Sequence, residues 1–170
     1  MKKLFILIAL VFLITSTILA QESGNHQHSE HLETLLTEYL EIKRALVNDN
    51  FEGAKSALQS FSQEITTNNE MKHHPEHSLM HETHHSTMIT AVESASNAEN
   101  IDQLRNSFDE ISAELIKAVK NQNIKTNLHV QFCPMADNGD GARWLSENEE
   151  IKNPYYGSMM STCGSLQEQI

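Results

Sequence analysis

The chain has 170 residues, 39 % of them hydrophobic, with 23 acidic against 12 basic side chains and a formal charge of −11. That length holds one domain with a real core and hardly two, and so acidic a surface is a poor partner for nucleic acid. The same negative field favours cations, although in most acidic proteins it serves solubility alone.

The opening run "MKKLFILIALVFLITSTILAQESG" sets Lys2 and Lys3 before an apolar stretch from Leu4 to Leu19 and a small Ala20. This is the layout of a secretory signal peptide over residues 1–20. Its apolar stretch is shorter than the roughly 20 residues that cross a bilayer. An uncleaved anchor is the alternative, and the absence of a cysteine at the cleavage point argues against a lipoprotein. Cleavage would take the formal charge from −11 to −13, leave no stable membrane insertion, and put the protein in the periplasm or outside the cell. Residues 21–30, "QESGNHQHSE", lack any apolar side chain and read as a disordered lead-in. The remainder, 31–170, reads as a single helical domain.

From Ser29, a plausible N-cap, apolar residues recur at helical spacing as Leu32, Leu35, Leu36, Tyr39, Ile42 and Leu46, predicting a helix to about Val47. After the polar break "NDN", Phe51, Ala54, Leu58, Phe61 and Ile65 continue the three-and-four alternation of a bundle seam, with Gly53 early enough to be tolerated. Residues 66–76 carry no period and are expected to be a loop. A third helix is predicted from His77 to about Ala95. In the fourth, Asn100 can cap, Gln103 can close a capping box, and Ile101, Leu104, Phe108, Ile111, Leu115 and Val119 form the stripe. Four amphipathic helices joined by short connections predict an all-α fold, an antiparallel four-helix bundle. Over it lies an irregular C-terminal cap at 128–170. In that cap "LHVQF" alternates like a short strand. Beyond it come four glycines, two prolines and the aromatics Trp144, Tyr155 and Tyr156, the composition of irregular structure pinned by large side chains.

Both cysteines, Cys133 and Cys163, fall in the cap, each near a methionine: Met135 follows Cys133 at two residues and Met160 precedes Cys163 at three. His129 stands four residues before Cys133, and Met159 could replace Met160. Two thiolates and two thioethers are soft donors suited to Cu(I), whereas zinc more often recruits histidine and carboxylate. The plainer reading is a Cys133–Cys163 disulfide, usual in an exported protein. It would close a loop of about 31 residues and stabilise by roughly 3–4 kcal/mol on the chain-entropy model. Gly139 and Gly141 in "DNGDGA" permit one tight turn and Asn153-Pro154 another, so the two sulfur-bearing stretches can fold toward each other. The "DNGDG" run lacks the spacing of a calcium loop and has Asn148 where its closing glutamate would stand.

The run "QFCPMADNGDGARWLSENEEIKNPYYGSMMSTCGSLQEQI" resembles an uncharacterised bacterial family, a domain of unknown function of Bacteroidetes type, whose members carry CPMA, GA-x-WLS, NPYYG and TCG blocks in that order. It is also similar to the C-terminal domain of some periplasmic adaptor subunits of heavy-metal efflux pumps. The resemblance covers residues 130–170; the helices agree with it only in pattern. It implies metal handling, with Cys133, Met135, Met160 and Cys163 as ligands and an efflux adaptor or pump subunit as partner.

A second cluster, "MKHHPEHSLMHETHHSTM", holds six histidines and three methionines in eighteen residues. On a helix turning about 100° per residue, His77, His81, His84 and Met88 fall close together, with His85 at the margin. Imidazoles one turn apart can share Cu(II), Ni(II) or zinc, with His73, His74, His26, His28 and His31 as collectors. Equally, these histidines form a solvated cluster bonded to Glu76 and Glu82, a pH sensor, or a low-complexity run without a role. "HETHH" also fits the H-E-x-x-H pattern of zinc hydrolases, with His81 and His85 as ligands and Glu82 as base. So histidine-saturated a segment matches by chance, and a bundle of this size offers no evident substrate cleft. The sequence therefore points away from an enzyme. It points toward an exported soft-metal binding protein, above all for copper, linked to efflux or resistance. The competing expectation is a non-catalytic interaction domain, closed by the disulfide, that docks on an envelope or efflux component.

Overall fold

The computed structural model describes residues 30–67, 78–122 and 127–170, with backbone alone for residues 67, 78–85 and 122. The predicted signal peptide, most of the lead-in, and His26, His28, His73, His74 and His77 lie outside the described residues. No described helix is long and apolar enough to cross a membrane.

Four helices pack in pairs: α1 (30–47), α2 (Phe51–Thr67), α3 (Ser78–Ser96) and α4 (Ile101–Gln122). Their predicted stripes are the core. Leu32, Leu35, Leu36, Tyr39, Ile42 and Leu46 of α1 are buried, as are Ala54, Leu58, Phe61 and Ile65 of α2. Met88, Ala91, Val92 and Ala95 of α3 join them, with Leu104, Phe108, Ile111, Leu115 and Val119 of α4. Removing these faces from water drives the helices together, because each burial is repeated every three or four residues along one side. Residues 66 and 67, expected in a loop, instead complete the last turn of α2.

The caps explain where the helices begin. Asn50 accepts the Gly53 N–H at 2.9 Å, and a β-carbon at position 53 would sit 2.4 Å from the Asn50 amide, so the glycine makes room for its own cap. Asn100 accepts the Gln103 N–H at 3.0 Å while the Gln103 side chain returns to the Glu99 N–H at 2.8 Å.

The C-terminal region corrects the all-α expectation: the fold is mixed α+β. Strand β1 (His129–Cys133) lies between β2 (Ala142–Ser146) and β3 (Ser165–Gln169) in a three-stranded antiparallel sheet ordered β2-β1-β3. The β1–β2 turn is built from left-handed backbone at Asp137, Asn138, Gly139 and Gly141, and the Gly141 N–H bonds the Ala136 carbonyl at 2.9 Å. A long connection, residues 147–164, then returns the chain to the far side of β1.

Two seams fasten this sheet to the helices. In the first, the buried Tyr39 hydroxyl lies 2.8 Å from Ser112 Oγ of α4 and accepts the Leu145 N–H of β2 at 3.1 Å. Burial drives the Tyr39 pKa well above its ordinary value, so the phenol stays neutral there. Its ring stacks on Phe108 at 5.0 Å, Tyr155 packs on Phe108 at 5.9 Å, and Trp144 meets Tyr155 edge-on at 5.9 Å, a column of rings running from α1 into the sheet. The buried Lys43 extends this seam, donating to Ser146 Oγ at 3.0 Å and to Glu147 at 2.8 Å. Burial opposes ionisation of Glu147, but the Lys43 bond outweighs it and holds the carboxyl below the usual range.

Arg105 makes the second seam. It donates to the carbonyls of Pro154 and Leu46, both at 2.9 Å, and to Asp49 at 2.6 Å, tying the α1–α2 turn, α4 and the C-terminal connection to one guanidinium. Asp49 also accepts the Ser158 N–H at 3.0 Å, and Ser158 and Arg105 together lower its pKa to about 2. A β-carbon on Gly157 would stand 2.0 Å from Asp49 Oδ1, with φ at +52° besides, so only glycine closes this seam.

Candidate metal centre

Alternation along β1 puts His129, Gln131 and Cys133 on one face and Val130 and Phe132 on the other. The cross-strand partners of the first three are Ser146, Trp144 and Ala142, which share their face. The connection 147–164 covers this side. Gln131 Nε2 donates to the carbonyls of Asn148, Glu149 and Glu150 at 2.8, 3.1 and 3.2 Å, pinning an acidic turn against the sheet.

Farther along, the side chain of Asn153 shapes the return. Its Oδ1 accepts the Tyr155 and Tyr156 N–H groups at 2.8 and 3.2 Å, and its Nδ2 donates to the Cys163 carbonyl at 2.8 Å. The Cys163 N–H bonds the Met160 carbonyl at 3.1 Å. The turns expected at Gly141 and Pro154 therefore do converge the chain. Cys133 Sγ and Cys163 Sγ lie 2.7 Å apart, the first fully buried and the second half-buried. Gly164 permits the approach: a β-carbon there would meet the Phe132 carbonyl and the Trp144 ring, each at 2.9 Å. The hydrogen bond with Cys133, followed by burial, pushes the Cys163 thiol up to about 11, so the thiol form persists at neutral pH.

Not every expected ligand gathers here. His129 stands at the opposite end of β1, four residues or about 13 Å along an extended strand from Cys133, paired with Ser146 and Gln169. It therefore shares their face but stands at the far end of the strand, out of reach of the sulfurs. Met135 and Met159 are exposed and Met160 is half-buried. The Tyr156 hydroxyl donates to the Met135 carbonyl at 2.6 Å, and the Met159 N–H bonds the Tyr156 carbonyl at 3.1 Å, so one tyrosine joins the two methionine-bearing turns.

Of the histidine cluster, positions 81, 84 and 85 belong to the first turns of α3 and their side chains lie outside the described residues, as does His77 entirely. The H-E-x-x-H reading falls there too. Met88, counted with that cluster, is buried in the helical core. His31 is buried on α1, its Nδ1 2.7 Å from Glu64 of α2. Among the described residues no three His, Cys, Asp or Glu side chains converge as a metal site.

Several residues that shape this region gave no sign as site residues. Arg105 had the clearest signal available, a charge at a stripe position between Leu104 and Phe108. Gln131 and Asn153 had none, because their work is done on backbone carbonyls and N–H groups far away in sequence.

The comparisons with known proteins bear on the helices. Residues 35–127 match the model of a family described as "Protein of unknown function (DUF3347)". That match spans more than half of the chain and stops just short of β1, so it covers the helical layer and leaves out the sulfur-bearing sheet. No curated protein and no solved structure matches the chain significantly.

Proposed function

The chain belongs to the DUF3347 family of unknown function, and from that premise we propose that it is an exported soft-metal binding protein that takes up Cu(I) between Cys133 and Cys163. The observation that carries this reading is the 2.7 Å approach of two sulfurs from opposite ends of the cap, one sealed in a strand and the other half open. Soft thiolates select Cu(I) over hard cations, and an exported acidic domain is a natural place to hold it apart from other proteins. Binding replaces two S–H bonds with two metal–sulfur bonds and releases both protons to solvent. With metal–sulfur bonds of about 2.3 Å, sulfurs as close as 2.7 Å would subtend only roughly 70° at the metal. The pair must therefore spread. Cys163 is the side that yields, by rotating its half-buried side chain, since Cys133 is fixed in β1. Met160, half-buried, is the thioether available to complete the coordination, and the histidines of α3 are a separate, weaker site for Cu(II) or zinc. A heavy-metal efflux adaptor or pump subunit is the recipient this reading expects.

Anaerobic titration of the reduced protein with Cu(I) tests it. The expected result is one ion bound far more tightly than micromolar, lost in Cys133→Ser. Binding no tighter than micromolar, or binding unchanged in that variant, would remove the proposal.

The same proximity supports a second reading, a non-catalytic interaction domain whose cap is closed by a Cys133–Cys163 disulfide and docks on an envelope or efflux component. The bridge would contribute roughly 3–4 kcal/mol. Counting thiols under denaturing conditions in freshly isolated protein separates the two: none favours the bridge, two favour the metal.

A further inference from the structure

Among the described residues, the exposed large apolar side chains are Met135, Met159 and Leu166, at 53, 74 and 43 % exposure. Two of the three stand within four residues of a cysteine in sequence, and both are methionines. Met135 follows Cys133 across Pro134, in the turn where the Ala136 N–H bonds the Cys133 carbonyl at 3.4 Å. Met159 lies in the short helical turn Gly157–Met159, whose Tyr156 neighbour reaches over to the Met135 carbonyl. A thioether is both flexible and a weak soft ligand.

The thiols behind them are poorly placed to meet a large copper carrier directly. Cys133 is sealed, and only Cys163 touches solvent. A neutral thioether at the surface can enter the coordination of an incoming Cu(I) complex without first losing a proton, whereas the thiols must each lose one.

We infer that Met135 and Met159 form an exchange port: they accept Cu(I) from a donor complex by ligand substitution and hand it to Cys163 and then Cys133. This rests on the copper reading of the thiol pair and adds to it the route of loading. No electron moves; each step exchanges one donor atom on the metal for another. The port sets the rate of loading, and the thiols set the affinity.

The test mixes reduced full-length protein with the Cu(I) complex of bathocuproine disulfonate in a stopped-flow instrument and follows loss of the complex's colour. Replacing both methionines with leucine keeps the shape and removes the sulfur. The expected result for the Met135→Leu, Met159→Leu double variant is loading at least tenfold slower, with an equilibrium affinity within about threefold of wild type. An unchanged rate would overturn the port while leaving the thiol site standing. Equal losses in rate and affinity would overturn it as well, by making the methionines permanent ligands. A wild-type protein that takes no copper from the complex and binds Cu(I) no tighter than micromolar in direct titration would end the thiol reading itself, and the port with it.

Discussion

The helical layer and the C-terminal sheet are held together by different means. In the helices the same kind of contact recurs: α1, α2 and α4 each bury one apolar stripe, and the cost of losing any single member is spread over its neighbours. In the sheet region the work falls on single polar residues with several partners each, Arg105, Gln131, Asn153 and Tyr39, and on glycines at 157 and 164 that no other residue can replace without collision. A layer built by repetition tolerates exchange of one apolar residue for another of similar size, and one built on unique partners fails at a point.

Cutting the ring column where the two regions meet should give the largest effect. Phe108→Ala removes the ring between Tyr39 and Tyr155 and is expected to cost about 3–5 kcal/mol in urea unfolding. Phe61→Ala, of similar size but confined to the helices, should leave amide exchange in β1 and β2 protected up to the global transition. If the two variants expose those strands equally, the regions are not separable. Arg105→Ala comes next, at about 3–4 kcal/mol, because it strips a buried guanidinium from three partners on two sides of the seam. Here exchange should rise first in residues 153–158. Tyr39→Phe leaves the Leu145 N–H without its acceptor and should cost about 1–3 kcal/mol with helicity by circular dichroism unchanged. Asn100→Ala, a change to one helix cap, should cost about 1 kcal/mol and leave the sheet untouched.

The smallest effect is one of pH. The Asp49 carboxyl titrates at about 2 when folded, against 3.8 without its partners, so its folded pKa is depressed. Its contribution is whole above the unfolded value and is lost as pH falls through the interval down to about 2. Asp49 is more than a third exposed, and solvent screening keeps the contribution small. The urea midpoints of wild type and Asp49→Asn should differ at about pH 5 and converge near pH 2; a gap that stays constant would show that Asp49 acts through shape alone.

The two regions also differ in how much of them the amino-acid order discloses. Three of the helices, α1, α2 and α4, and nearly every member of their stripes follow from a 3.6-residue period, since amphipathic burial repeats; α3 carries little of that period. β2 escaped because Ala142, Trp144, Leu145 and Ser146 are buried on both faces, which erases the alternation that marks a strand. β3 escaped for the opposite reason: all five residues are exposed, and it is held by backbone pairing with β1, which leaves no trace in side-chain polarity. The sulfur pair was legible through its turns, where glycine and Asn-Pro have local causes. His129 was grouped with the sulfurs although it lies in the stretch read as a strand, where four residues span about 13 Å of extended chain rather than one helical turn.

The ring column has an optical consequence. Trp144 is the only tryptophan among three tyrosines, and Tyr155 lies 5.9 Å from it. Light absorbed by that tyrosine should therefore leave as indole emission while the connection lies against the sheet. Fluorescence of tyrosine colour would appear only when the rings part. A fluorimeter can thus watch the C-terminal connection lie against the sheet without any label, and a quencher arriving at the neighbouring sulfurs would dim the same signal from the other side.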